Sequence, residues 1–238
     1  MKRALFGIAA AACFAQGGSA AAEVLFSETF EADQSQFSLS SDFIDSTNDY
    51  FAVVGTGDIS TVNDYTGFGG SSFFAAEDTD DNGGNGNDIQ TLTFTVDITG
   101  ATDLSFSGLF AESGGANYDA LDSIVITGSI DAGASFNILA FETVQDGDAF
   151  NSAVLSQDTD FDGEGDGTAL SEEFSTFTGS ITGTGSSLTV EIAVFMDSAS
   201  EEIAFDNLVI EGVIPEPASL ALVGLGGLAM LGRGRRRA

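Results

Sequence analysis

The chain has 238 residues, with six basic side chains against 37 acidic ones, a formal charge of −31, no histidine, no tryptophan and one cysteine. All six basic residues stand in the termini, so the segment from Glu23 to Ile214 holds 36 carboxylates and no Lys, Arg, His, Cys or Trp. That composition excludes nucleic-acid binding, electrostatic attachment to anionic lipid, a disulfide framework, and any mechanism that needs an imidazole, a thiolate or an amine.

The first segment, MKRALFGIAAAACFAQGGSAAAE, places Lys2 and Arg3 ahead of a short apolar run and ends in small residues. This is the order of a secretory signal peptide, expected to span residues 1–22 and to leave Glu23 at the start of the mature chain. The apolar run is far shorter than the roughly 20 residues that span a bilayer as a helix.

From Val24 onward the period is that of strands. In TLTFTVDI, Leu92, Phe94, Val96 and Ile98 alternate with Thr91, Thr93, Thr95 and Asp97, and SLTVEIAVFM repeats the pattern from Leu188 to Met196. Eight further segments read as strands, starting at Val24, Tyr50, Ser72, Asp103, Asp122, Ala134, Glu172 and Glu202, and Gly, Asn, Asp and Ser clusters separate them. About ten antiparallel strands on some 190 residues predict an all-β fold, a two-sheet jelly-roll-like sandwich over residues 23–212. Most of the 21 phenylalanines are expected to fill its interior.

Two acidic loops interrupt the strands. EDTDDNGGNGND, from Glu77 to Asp88, is glycine-rich and has no diagnostic spacing. DTDFDGEGDGTALSEEF is sharper, because Asp158, Asp160 and Asp162 alternate and Gly163 follows. That is the opening of a calcium loop, with oxygen ligands at the first, third and fifth positions and a glycine for the turn. Asp166 stands at the ninth position, but Ala169 replaces the closing glutamate, so Glu172 or Glu173 would have to complete the shell. The other reading of the same residues is a solvated acidic turn.

In the last strand, EEIAFDNLVIEG, Ile203 and Phe205 share one phase while Leu208 and Ile210 share the other. The slip at Asp206–Asn207 predicts a bulge. A first strand ending in ETFE (Glu28 to Glu31) and a last strand containing FDN (Phe205 to Asn207) resemble extracellular jelly-roll modules, many of them carbohydrate-binding, whose first and last strands are fastened by structural calcium. The resemblance implies Glu28 or Glu31, together with Asp206, as carboxylate ligands. Such modules stack sugars on flat aromatic rings, for which this chain offers only Tyr50, Tyr65 and Tyr118, or Phe68 and Phe110 beside glycines.

The chain closes, over residues 213–238, with VIPEPASLALVGLGGLAMLGRGRRRA. Pro215 and Pro217 stop regular structure, and the apolar run over residues 218–232 would cover roughly 22 Å as a helix, short of a hydrocarbon core of about 30 Å. With Pro215-Glu216-Pro217, a short apolar helix and Arg233, Arg235, Arg236 and Arg237 in that order, the segment resembles the PEP-CTERM sorting signal handled by exosortase-type membrane transpeptidases. The resemblance implies export, transient insertion in the inner membrane with the arginines cytoplasmic, processing near the Pro-Glu-Pro triplet, and release to the cell surface or an exopolysaccharide-rich biofilm matrix.

Together these readings predict a non-catalytic structural or adhesive sandwich, with calcium and extracellular polysaccharide as expected partners. The alternative is a secreted glycan hydrolase, since paired carboxylates suffice for that chemistry.

Overall fold

In the computed structural model, which describes residues 21–31, 34–45, 48–55, 57–58, 65–80, 89–114, 118–146 and 149–215, the strand-period segments pair into two sheets of seven strands each. One sheet holds β1 (Ala22–Glu28), β3 (Phe43–Ile44), β4 (Tyr50–Gly55), β5 (Ser72–Glu77), β7 (Thr102–Glu112), β12 (Ser175–Ile181) and β14 (Glu202–Val213). The other holds β2 (Phe37–Leu39), β6 (Gln90–Asp97), β8 (Tyr118–Asp119), β9 (Ser123–Ile130), β10 (Phe136–Asp146), β11 (Ala149–Gln157) and β13 (Ser187–Phe195). The orders are β12-β7-β14-β5-β4-β3, with β1 also beside β14, and β2-β6-β13-β9-β10-β11-β8; every ladder is antiparallel. The expected all-β, jelly-roll-like sandwich is the observed architecture, with the 3-10 turn Gln34–Gln36 the one helical element among the described residues.

The period-2 alternation decides which atoms meet between the sheets. Leu92, Phe94 and Val96 of β6, Leu188, Val190, Ile192 and Val194 of β13, and Ile124 and Ile126 of β9 point inward and are buried. Against them lie Phe106 and Phe110 of β7 and Phe205 and Ile210 of β14. Phe26 stacks on Phe94 across the gap, ring centroids 4.2 Å apart and nearly parallel. Each such ring contributes on the order of 1.5–3 kcal/mol by leaving water.

Four strands carry no readable period. β2, β3 and β8 have two or three residues, and AFNSAVLSQ of β11 does not alternate. β5, SFFAAE, is buried on both faces for a structural reason. Phe74 and Ala76 face the main core, while Phe73 and Ala75 lie in a second apolar layer with Tyr65 and Phe174, against which Phe68 packs.

The expected slip in the last strand is a real bulge. β14 is out of register with β7 between Asp206 and Val209, and Asn207 takes a left-handed backbone with φ of 49°. On its opposite edge β14 pairs with β5 through Phe205 and with β1 from Leu208 onward, so Asp206 stands where one partner gives way to the other.

Candidate metal centres

The acidic loop after β11 is built around one buried side chain. Asp158 is 2 % exposed; its Oδ1 accepts from the backbone N–H of Phe161 at 2.7 Å and of Asp160 at 3.2 Å, and its Oδ2 accepts from Gly163 N–H at 2.9 Å. Gly163 has φ of +92°, the conformation that only glycine enters freely, which is why the loop needs it there. The result brings one carboxylate oxygen each from Asp158, Asp160 and Asp162 within 4.8 Å of one another. The neighbouring charges, Asp162 first, raise the pKa of Asp160.

Asp166 has a different task. Its Oδ1 accepts from Thr159 N–H at 2.9 Å and Thr159 Oγ1 at 2.8 Å, which pins the base of the loop and lowers its own pKa. Glu172 and Glu173 are exposed, and Glu173 pairs in a parallel bridge with Thr66. Glu142 on β10 is the carboxylate that the sequence pattern misses: burial, and then the charge of Asp158, push it up to about 7. Only the β10–β11 pairing brings it to a loop that starts sixteen residues later in sequence. All donors are oxygens, the set that a hard dication such as calcium takes.

The second expected group gathers at the parting of β1 and β5. β1 stops at Glu28 rather than running through ETFE, because Phe30 turns left-handed (φ 56°) to put its ring against Phe37, Phe74 and Phe205. Glu28 Oε1 accepts from Thr29 N–H at 2.9 Å and Phe30 N–H at 2.7 Å, while its buried Oε2 has no hydrogen-bond partner. Glu31 binds the N–H groups of Ser71 and Ser72 at 2.6 and 2.7 Å and the Ser71 hydroxyl at 2.8 Å. Asp206 is fully buried, accepting from Gly69 N–H at 2.8 Å and Asn207 N–H at 2.7 Å. Burial chiefly, with the charges of Glu31 and Glu28 adding to it, pushes Asp206 up to about 6. Glu28 Oε2 is thus left for a cation to satisfy, but the oxygens of Glu28, Glu31 and Asp206 are not among the described groups of three that lie within 4.8 Å of one another.

Of the expected aromatic platforms, four are buried and one, Phe68, keeps part of its surface accessible. Tyr50, Tyr65 and Tyr118 are buried, Phe110 is in the main core, and Phe68 is half-buried against Phe73 and Phe174. Among the described residues the exposed ring is Phe161, 40 % accessible, in the Asp158 loop with φ of 60°. The outer face of the second sheet carries a groove of about 250 Å³ lined by Thr127, Ser129, Ser135, Thr189, Glu191 and two glycines.

A second group of three carboxylates with oxygens within 4.8 Å is Asp119, Asp122 and Asp197. It joins positions 75 residues apart, so no local spacing announces it. Glu77, Asp78 and Asp80 of the other acidic loop are described; residues 81–88 are not. Residues 1–20 of the expected signal peptide at 1–22, Glu216, Pro217, the apolar tail and its arginines also lie outside the described residues, and no described helix is long and apolar enough to cross a membrane.

The profile of the PEP-CTERM protein-sorting motif matches residues 213–237. The chain is therefore an all-β sandwich bearing a PEP-CTERM signal, which marks it for export through the membrane to the cell surface and for exosortase processing. No curated protein sequence matches it. Among solved structures it is similar to the CBM22-1 xylan-binding domain from Paenibacillus barcinonensis, at 14 % identity and TM-score 0.42 over 82 % of this chain and 98 % of that one. It is also similar to a cyclase from Fischerella sp. TAU, at 12 % identity and TM-score 0.49 over 83 % and 100 %, and to the K2 cleaved adhesin domain of Lys-gingipain, at 17 % and 0.42 over 78 % and 96 %. At these identities and scores the likenesses carry no inference about ligand or activity.

Proposed function

We propose that the chain is a non-catalytic, calcium-stabilised protein of the cell surface or extracellular matrix that binds polysaccharide, reaching that place after its tail passes transiently through the inner membrane. The observation that carries the reading is the Asp158 loop. Three carboxylates converge there on a backbone already turned to hold them, in a body with no basic side chain to neutralise them. When bound, calcium would supply the missing charge, held by Asp158, Asp160 and Asp162 with Glu142 nearby; Asp166 would keep the loop base closed. The Glu28, Glu31 and Asp206 group would serve as a structural clasp between the first and last strands.

The hydroxyl-lined groove on the second sheet offers donors and acceptors that match those of sugar hydroxyls. Its floor comes from β9 and β13, where Thr127 pairs with Glu191 and Ser129 with Thr189, so the ladder fixes where these side chains leave the sheet before any ligand arrives. Preordered hydrogen-bonding groups reduce the entropy cost of binding. Glycosidic hydrolysis needs two carboxyl groups about 5–9.5 Å apart on opposite sides of the scissile bond. The groove lining holds one, Glu191.

Calorimetric calcium titration, followed by binding of neutral and acidic polysaccharides with calcium and with chelator, tests the reading. The expected result is calcium uptake with a raised melting temperature, and polysaccharide affinity that falls at least fivefold in Thr189→Val and in Glu191→Ala. No heat and no melting shift would sink the calcium part, and release of reducing ends from any polysaccharide would replace the binder with a hydrolase.

A further inference from the structure

The turn between β13 and β14 meets the corner between β8 and β9 through four carboxylates. Asp119 ends β8, Asp122 precedes β9, Asp197 follows β13 and Glu201 precedes β14. One oxygen from each of the three aspartates lies within 4.8 Å of the others. Asp122 is fully buried; its Oδ2 accepts from Asp119 N–H at 2.5 Å and its Oδ1 from Asp197 N–H at 3.4 Å.

Glu201 supplies an independent observation. It is 3 % exposed, its Oε2 is buried with no hydrogen-bond partner, and it lies close enough to Asp122 and Asp197 to feel their charges, outside the trio whose oxygens lie within 4.8 Å of one another. A buried carboxylate oxygen without a partner costs on the order of 1–3 kcal/mol or more, and a second carboxylate alongside adds repulsion. The body has no Lys, Arg or His to relieve either. Four carboxylates with no nitrogen or sulfur donor describe the ligand chemistry of calcium rather than of zinc.

We propose that Asp119, Asp122, Asp197 and Glu201 form a further calcium site, separate from the Asp158 loop and from the Glu28–Asp206 clasp. Three of its ligands belong to the second sheet and its connections, and Glu201 leads into β14 of the first. The ion therefore ties the two sheets together at the entry to the last strand, by way of a turn closed by the Glu201 N–H to Ser198 O bond at 3.0 Å.

The test is calcium titration of the full chain by calorimetry, with melting curves in calcium and in chelator, for wild type, Glu201→Gln, Asp197→Asn and the Asp160→Asn/Asp162→Asn pair. Glu201→Gln and Asp197→Asn are each expected to remove one calcium equivalent or weaken it at least tenfold, while the Asp160/Asp162 pair leaves that equivalent in place. Glu201→Gln is also expected to melt no lower than wild type in chelator, since the amide keeps the uncharged form that burial already favours there without calcium, and to melt lower only in calcium. Unchanged stoichiometry and affinity in both single variants would overturn the site while leaving the loop reading intact. So would an equal loss of melting temperature with and without calcium, which would assign Glu201 a purely structural role. Should Glu201→Gln not fold, Asp197→Asn reads the same equivalent from outside the buried pair.

Discussion

Glu112 on β7 is a carboxylate that no candidate metal group uses. It is 1 % exposed; its Oε2 accepts from Leu155 N–H at 2.7 Å, its Oε1 has no partner, and burial pushes it up to about 8 from an ordinary 4.5. A folded-state pKa above the unfolded one means that the folded chain binds the extra proton. Its contribution to stability is thus full below about pH 4.5, declines as pH rises towards 8, and stays at its lower level beyond. In chelator the melting temperature should fall between pH 5 and 8, and Glu112→Gln should flatten part of that fall; parallel pH profiles for the two proteins would count against it. At the Asp158 loop the direction is set by ligand instead of proton. Asp160→Asn with Asp162→Asn should lower calcium affinity for that site at least tenfold in a calorimetric titration while slightly raising stability in chelator, because it removes mutual repulsion.

Among the elements, β12 and β14 are the ones whose details do most. Gly179 of β12 has no side chain where β10 crosses from the other sheet, and a Cβ there would collide with the carbonyl oxygen of Ile138. Backbone cannot swing aside as a long side chain can, so Gly179→Ala should cost about 1–3 kcal/mol in urea denaturation, the range of overpacking. A neutral result would mean that the sheets can part at this edge. In β14 the left-handed residue of the bulge is Asn207. Asn207→Val should cost about 1–2 kcal/mol more than Asn207→Gly in the same measurement, because a β-branched residue tolerates that backbone worst. Equal stabilities would show that the bulge relaxes into a regular ladder.

For the whole molecule, the governing fact is a body of 36 carboxylates with no cation of its own. Monovalent salt can only screen such a charge, whereas a dication bound between carboxylates neutralises it locally. Millimolar calcium should therefore raise the melting temperature more than sodium chloride at the same ionic strength; matched shifts would reduce calcium to a screening ion. In the native host, the sorting motif leads to an intact mass that lacks Arg233 to Arg237, and a mature protein that retains them would contradict processing at the motif.

The sequence by itself determined the parts of this protein that depend on local pattern. Ten strands follow from short runs that alternate or, in β4 and β5, are continuously apolar between turn residues, the bulge follows from a phase slip at Asp206–Asn207, the Asp158 loop from three aspartates and a glycine at turn spacing, and the destination from Pro-Glu-Pro, apolar run and arginines in order. Tertiary structure decided whatever depends on non-local meeting. Nothing near Asp122 in the chain indicates that Asp197 and Glu201 arrive beside it, or that Glu142 faces Asp158, because antiparallel pairing brings residues far apart in sequence into contact. The same holds for Tyr50, Tyr65, Tyr118 and Phe110, whose residue type suits a sugar platform but whose burial, for Tyr118 and Phe110 between the sheets and for Tyr50 and Tyr65 in the second apolar layer, keeps their faces from stacking on a sugar.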